Sequence, residues 1–370
     1  MRSPNLEALA ANGQSIWLDE LSRPLIDTGR LRELVEAGIT GVTSNPTIFT
    51  RALSARAYDE RVAALARERV CADLLERLMA QDIADACDEL LPVWQATGGR
   101  DGYVSWEVNP EVADDWRASV DEASRLRALV PCPNLLIKIP ATPAGIQAFR
   151  TLVAQGYSVN VTLIFSVERY AGVSDAYIAG LEELIANGGD PSGVHSVASM
   201  FVSRLDTAAD GHLARIDSGA ARALRGTLGI AEATLAYGHF RRTIASPRWQ
   251  ALAARGASPQ RCLWASTTMR DPNRRDVEYV EALIGPDTVT TVATSTLDAF
   301  IDHGRVVRTL TADDDRARDV VAQFDMLGID PHAIASNLER DGVGRFVASY
   351  RDAAREIGLR AAGAVRTATA

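Results

Sequence analysis

Short apolar runs recur along this chain at 15–18, 41–44, 103–108, 135–139, 158–165, 195–202, 262–266 and 288–292. They are rich in β-branched and aliphatic residues, which predicts buried strands. Between them lie longer stretches with helical spacing of apolar positions. A helix is expected over 5–12, and another over 28–37 with Thr28 as its cap and Gly38 at its C-terminal turn. Asn45-Pro46 and Asn109-Pro110 each place proline where a helix can start, the second helix running to about 130. Residues 51–97 are helical in pattern throughout, an insertion of two or three helices between the second and third strands. Helices are expected over 143–154 and 166–187, and a longer helical region, broken near Gly226 and Pro247, runs to Gly256. Helices fill the remainder, and the small, polar tail from 361 is expected to fray.

Eight repeated β-then-α units favour a parallel sheet, and that number in one chain favours a closed (β/α)8 barrel over a doubly wound open sheet. The expected organisation is one barrel domain over 1–370, with extra helices between strands two and three and at the C-terminus. Polar residues support closure. Asp19, Asn45, Glu107, Lys138, Asn160 with Thr162, Ser199 and Ser266 all fall on or just after strands. In a barrel those ends converge on one mouth, where enzymes of this architecture work.

Composition narrows the function. A chain of 370 residues that is 47% hydrophobic can bury a large core, and a net charge of −9 argues against nucleic acid as its main partner. Residues 1–14 lack a signal-peptide core, and no window approaches the roughly 20 apolar residues of a membrane span, so a cytoplasmic protein is expected. Cys71, Cys87, Cys132 and Cys262 show no CxxC spacing and are read as small buried residues without a disulfide. The five histidines show no metal-ligand spacing, and no GxGxxG, GxxxxGK[ST] or GxSxG signals a nucleotide or a serine nucleophile. No metal site is expected.

Lys138 is the only lysine; the other 38 of the 39 basic residues are arginine. Guanidinium supplies positive charge wherever charge suffices, but it stays protonated and is no amine nucleophile. Lys138 therefore reads as a position where arginine would fail, the competing reading being a lysine that snorkels at a strand end or survives there by chance. Packing among Leu136, Ile137 and Ile139 is expected to desolvate its ammonium and favour the free amine. Such an amine attacks a ketone, loses water to give an iminium, and uses that cation as an electron sink for cleaving the adjacent carbon–carbon bond. Two proton-transfer groups are then required, and Glu107 and Asp19 are of the right kind. The competing reading of either carboxylate is a salt bridge to Lys138.

The stretches Gly41-Val42-Thr43-Ser44-Asn45-Pro46-Thr47-Ile48-Phe49, Ser105-Trp106-Glu107-Val108, Leu136-Ile137-Lys138-Ile139-Pro140-Ala141-Thr142, Val159-Asn160-Val161-Thr162-Leu163-Ile164-Phe165-Ser166 and Phe201-Val202-Ser203-Arg204-Leu205-Asp206 resemble the motifs of the transaldolases, in the family's order and across nearly the whole chain. The resemblance is closest to the longer bacterial form of these class I, Schiff-base enzymes. It implies cofactor-free transfer of a dihydroxyacetone unit between sugar phosphates in the pentose phosphate pathway, the chain being a monomer or homodimer. Lys138 then resembles the Schiff-base lysine, Asp19 the base on the donor's C4 hydroxyl, and Glu107 the acid/base acting through a water held by Thr162. Asn45 and Asn160 resemble the amides that bind the dihydroxyacetone hydroxyls, with Ser199 nearby. Phe201 and Ser266 are expected to line the substrate site, and Arg204 and Arg270 resemble a phosphate clamp.

The chain departs from the family pattern at Thr268-Met269-Arg270, at Val292-Ala293-Thr294-Ser295-Thr296 and at Met200. Two other readings compete. A plain aldolase would release dihydroxyacetone, but shorter relatives with that activity carry a tyrosine where Phe201 sits and an amide in place of Glu107. A non-catalytic sugar-phosphate-binding barrel has no need of a nucleophile.

Overall fold

The apolar runs fold as eight strands: β1 Gln14–Leu18, β2 Gly41–Thr43, β3 Tyr103–Glu107, β4 Leu135–Pro140, β5 Val159–Ile164, β6 Ser196–Phe201, β7 Arg261–Ala265 and β8 Thr288–Val292. The computed structural model describes residues 3–53, 56–67, 74–216, 218–311 and 314–369, and Cys71 lies outside them. Each strand pairs in parallel with its sequence neighbours and β8 returns to β1, closing the barrel. Helices follow the strands and cover the outside.

Alternation along each strand sorts its residues between two layers. On β4, Leu135, Ile137 and Ile139 join the large core between sheet and helices, whereas Leu136 joins the core that fills the barrel. Lys138, two residues on from Leu136, shares its side. The expectation that Lys138 packs among Leu136, Ile137 and Ile139 is therefore corrected: only Leu136 lies with it inside the barrel. The deeper interior is apolar, with Trp17, Tyr103, Val197, Leu263 and Val289 alongside Leu136. Trp17 needs Gly41 across from it, because a Cβ there would stand 2.5 Å from the indole. The base is closed by polar groups, the Trp17 indole N–H donating to Asp101 at 2.7 Å beside the Arg261 guanidinium.

Local capping accounts for several boundaries. Thr28 ends a short helix, Arg23–Asp27, whose N-cap is Ser22, and the next helix begins at Arg30 after Gly29, which takes a left-handed φ of 77°. Thr28 as an N-cap is thus corrected. Asn109-Pro110 opens only a single 3-10 turn, and the long helix starts at Trp116, where the Asp115 carboxylate accepts from the backbone N–H of Arg117 and Ala118. The insertion carries a long helix, Leu74–Ala96. The final helix, Pro331–Thr369, continues through the segment expected to fray.

That final helix crosses the end of the barrel where the strands finish. At one side Ser349 is hydrogen-bonded to Thr47 (3.1 Å) and Thr50 (2.9 Å) on the helix after β2. Toward the other, Glu339 is ion-paired to Arg169 at 2.8 Å. Between them Gly342 rests on Leu163, so closely that a Cβ would approach the leucine side chain to 2.9 Å. Leu163 has φ 60° and sits where the β5–β6 register shifts, a bulge at the mouth.

Candidate active site

An open cleft of about 890 Å³ lies at the C-terminal ends of the strands. Of the residues expected to form a site, Asp19, Asn45, Lys138, Thr162, Ser199, Phe201, Arg204, Ser266 and Arg270 all line it. Glu107 and Asn160 lie on the flanking strands in register with Lys138 and are buried. All the expected residues thus come together at one mouth.

Lys138 is 4% exposed, and its Nζ donates to the backbone oxygen of Ser44 at 3.0 Å. The Glu107 Oε2 is 3.2 Å from Nζ, so the salt bridge weighed as the competing reading is present. It does not consume the carboxylate, because Oε2 has no aligned hydrogen bond, and neither does the buried hydroxyl of Thr162. Burial pushes the Glu107 carboxyl above the usual range for glutamate, while Lys138 pulls it back down. A buried acid beside a buried amine is an arrangement in which one proton can be exchanged.

Asp19 follows β1 and is anchored twice. Its backbone N–H donates to Val292 O at 2.8 Å, and its Oδ1 accepts from the Thr43 hydroxyl at 2.7 Å. Thr43 is in turn 2.8 Å from the Thr291 hydroxyl, so two strand-end threonines hold the carboxylate. Asn160 is fixed from both sides, its amide donating to Ser105 Oγ (3.0 Å) and its Oδ1 accepting from Ser199 Oγ (2.7 Å). Asn45 caps the helix that follows β2, with Oδ1 accepting from Ile48 N–H at 3.1 Å. Its amide N–H groups are not used in the cap.

The far side of the cleft is cationic. Arg204 lies in the first turn of the helix Ser203–Leu213, with its guanidinium carbon 5.1 Å above the centre of the Phe201 ring. Burial, then Arg270 and Arg345, pulls its pKa down from that of a free guanidinium. Among the described residues, no carboxylate forms an ion pair with any of these three arginines. Three like charges in this arrangement favour an anion between them. Ser266 adopts φ 55°, and its hydroxyl meets that of Ser203 at 2.9 Å. The unusual rim segments hold each other: Thr268 is 3.2 Å from Thr296, and Thr294 donates to Glu20.

A family described as Transaldolase/Fructose-6-phosphate aldolase matches residues 16–357, from β1 into the final helix. The chain belongs to this family. Proteins named transaldolase in Thiobacillus denitrificans, Parafrankia sp. and Mycobacterium marinum are 46%, 47% and 46% identical to it. The matches take in 94%, 94% and 95% of this chain and 97%, 95% and 95% of those proteins. In the transaldolase family setting, the sequence motifs supply most of the cleft. They do not disclose Thr291, which supports Thr43, or Arg51, which lines the rim. Nor do they disclose Arg345, brought from the final helix toward Arg204. In an arginine-rich chain nothing local sets Arg345 apart.

Proposed function

We propose that the protein is a transaldolase that forms a Schiff base on Lys138. It takes a dihydroxyacetone unit from a ketose phosphate such as sedoheptulose 7-phosphate or fructose 6-phosphate. It passes that unit to an aldose phosphate such as glyceraldehyde 3-phosphate or erythrose 4-phosphate. The observation that carries this reading is the sole lysine, buried at the barrel mouth with a desolvated carboxylic acid 3.2 Å away. In the proposed cycle the Lys138 amine attacks the donor's C2 carbonyl, and Glu107 delivers the proton with which the carbinolamine hydroxyl leaves as water. Asp19 then takes the C4 hydroxyl proton as the C3–C4 bond breaks, the released aldose departs, and an enamine remains on Lys138. That enamine attacks the acceptor aldehyde, Asp19 returns the proton to the new hydroxyl, and hydrolysis of the iminium frees the product ketose and the lysine. Asn160, Asn45 and Ser199 are the groups for the dihydroxyacetone hydroxyls, and Arg204 with Arg270 for the phosphate. The protein works without a cofactor, in the cytoplasm and in the pentose phosphate pathway.

Trapping tests the chemistry. Borohydride added during turnover of fructose 6-phosphate should reduce the iminium and leave a dihydroxyacetone-sized mass on Lys138. Lys138→Arg should abolish both adduct and turnover, because charge is retained while the nucleophile is lost. An unmodified chain under turnover conditions would exclude the Schiff-base route. Glu107 and Phe201 favour transfer over release, and product analysis with and without an acceptor aldehyde separates the two: a plain aldolase yields free dihydroxyacetone from the donor alone.

A further inference from the structure

At the opposite end of the barrel from Lys138, an open cavity of about 600 Å³ lies among the residues that begin the strands. Leu136, Val197 and Pro259 give it apolar walls. Tyr103 presents a ring whose centre is 5.7 Å from that of His195, the two planes tilted by 43°. Among the described residues, neither ring nitrogen of His195 makes a hydrogen bond. Gly99, at a left-handed φ of 81°, seats that ring, because a Cβ there would stand 3.1 Å from Nε2. Arg261 also lines the cavity and is only 6% exposed. Its guanidinium donates to Ser15 Oγ at 2.8 Å, to the carbonyl of Arg100 at 2.9 Å and to Asp101 Oδ1 at 3.4 Å. A guanidinium carries five N–H groups. With three committed, two have no partner among the described residues.

We propose that this cavity at the base of the barrel binds a small organic anion, a flat carboxylate held by Arg261 and His195 against the Tyr103 ring.

Charge sets the sign of the ligand. The ion pairs around the cavity set three guanidiniums, Arg100, Arg241 and Arg261, against two carboxylates, Asp101 and Asp287. One positive charge is left over, in a partly enclosed space where salt screens it less than at an open surface. Asp287 is held at the rim with φ 60°, a conformation that a side chain adopts at a cost. Its carboxylate reaches Arg100 at 2.8 Å and Arg241 at 3.7 Å. Burial, then the charge of Arg261, bring the imidazole pKa of His195 down to about 4. The ring is therefore neutral near pH 7 and keeps one N–H to donate. A single excess charge suits a carboxylate better than a phosphate, which carries close to two charges at neutral pH and would also face Asp287. Apolar walls favour an organic body over a bare ion, and the two rings favour a flat one. The site shares no lining residue with the cleft around Lys138, so it stands apart from the chemistry at the mouth.

The test titrates the full-length protein with benzoate by calorimetry, with benzamide as the uncharged analogue. Benzoate should bind and raise the melting temperature, and benzamide should bind at least about tenfold more weakly. His195→Phe keeps a ring against Tyr103 but loses the N–H, and should cost roughly 10- to 100-fold in benzoate affinity. Gly98 offers a contrast of charge alone. It lines the cavity at φ 61°, a conformation that Asn and Asp tolerate, and a Cβ there meets nothing within 4 Å. Gly98→Asp should therefore repel the probe, while Gly98→Asn, of the same shape, retains it. No benzoate binding at millimolar concentration would overturn the proposal. Equal affinity for benzamide would do the same, since the excess positive charge would then recognise nothing. Binding undiminished in both His195→Phe and Gly98→Asp would put the probe elsewhere, such as at the arginines of the mouth, and the base would not be its site.

Discussion

The Lys138–Glu107 pair joins two charged groups in one desolvated layer, and removing either has an asymmetric result. Burial of an unpaired charge costs about 3 to 5 kcal/mol where the remaining group cannot neutralise. Glu107 can neutralise, since burial already raises its carboxyl pKa. Lys138→Met should accordingly fold, and infrared spectroscopy in the carboxyl region should find Glu107 protonated near neutral pH. The two carboxylates should separate in trapping experiments. Asp19→Asn should still accumulate the borohydride-trapped adduct but cleave slowly, whereas Glu107→Gln should slow adduct formation itself, each by about 10²- to 10⁴-fold. Equal trapping rates in the two variants would show the roles to be misassigned. Lys138 was readable without structure because arginine had replaced lysine everywhere else. The support of Asp19 was not, since the hydroxyls of Thr43 and Thr291 come from strands 248 residues apart and meet only when the barrel closes.

Elements, rather than single residues, gather the arginines of the proposed phosphate site: the helix after β6 brings Arg204, the loop after β7 brings Arg270, and the final helix brings Arg345. Charge-assisted hydrogen bonds of about 1.5 to 3 kcal/mol lead us to expect roughly 10- to 100-fold losses in kcat/KM for Arg204→Ala and Arg270→Ala with phosphorylated sugars. Much smaller losses should appear with unphosphorylated aldehydes, and equal losses on both would make the arginine a structural one. Arg345→Ala should weaken the same substrates by a smaller factor, and more so at low salt, because it acts through field rather than a fixed bond. Helix ends also carry a pH signature. Glu232, buried on the helix Leu228–Ala245, accepts from the backbone N–H of Val167 at 2.8 Å at the start of the helix Val167–Ala186. Burial lifts its carboxyl to about 7, with Glu168 adding repulsion. The unfolded chain releases this proton near 4.5 while the fold retains it, so this residue's contribution to stability falls as pH rises from about 4.5 to about 7 and then levels. Denaturant melts of Glu232→Gln should show that slope flattened, with the variant gaining over wild type at pH 8 and not at pH 5. Helix starts were the least legible elements. Asn109-Pro110 carries the same signal as Asn45-Pro46, yet Asp115 supplies the stronger cap five residues later.

At the scale of the whole molecule, the barrel was legible because its signal repeats eight times and each repeat pairs with its neighbour. The crossing of the mouth by the final helix was not, because its contacts at Thr47, Thr50 and Leu163 come from segments far earlier in the chain. Gly342→Ala tests that seat. A methyl group placed against Leu163 should loosen the helix and raise hydrogen exchange along Pro331–Thr369 before it affects the strands. One consequence reaches beyond fold and mechanism. Aldose phosphates are reducing sugars that condense slowly with any accessible primary amine, so a protein that handles them risks glycation of its own surface. This chain presents no lysine to solvent: its charged exterior is guanidinium and carboxylate, and its single side-chain amine is 4% exposed at the barrel mouth. Prolonged incubation with glyceraldehyde 3-phosphate should therefore leave early amine adducts only on Lys138 and the α-amino group, sparing the exterior from the carbonyl damage that a lysine-bearing surface accumulates.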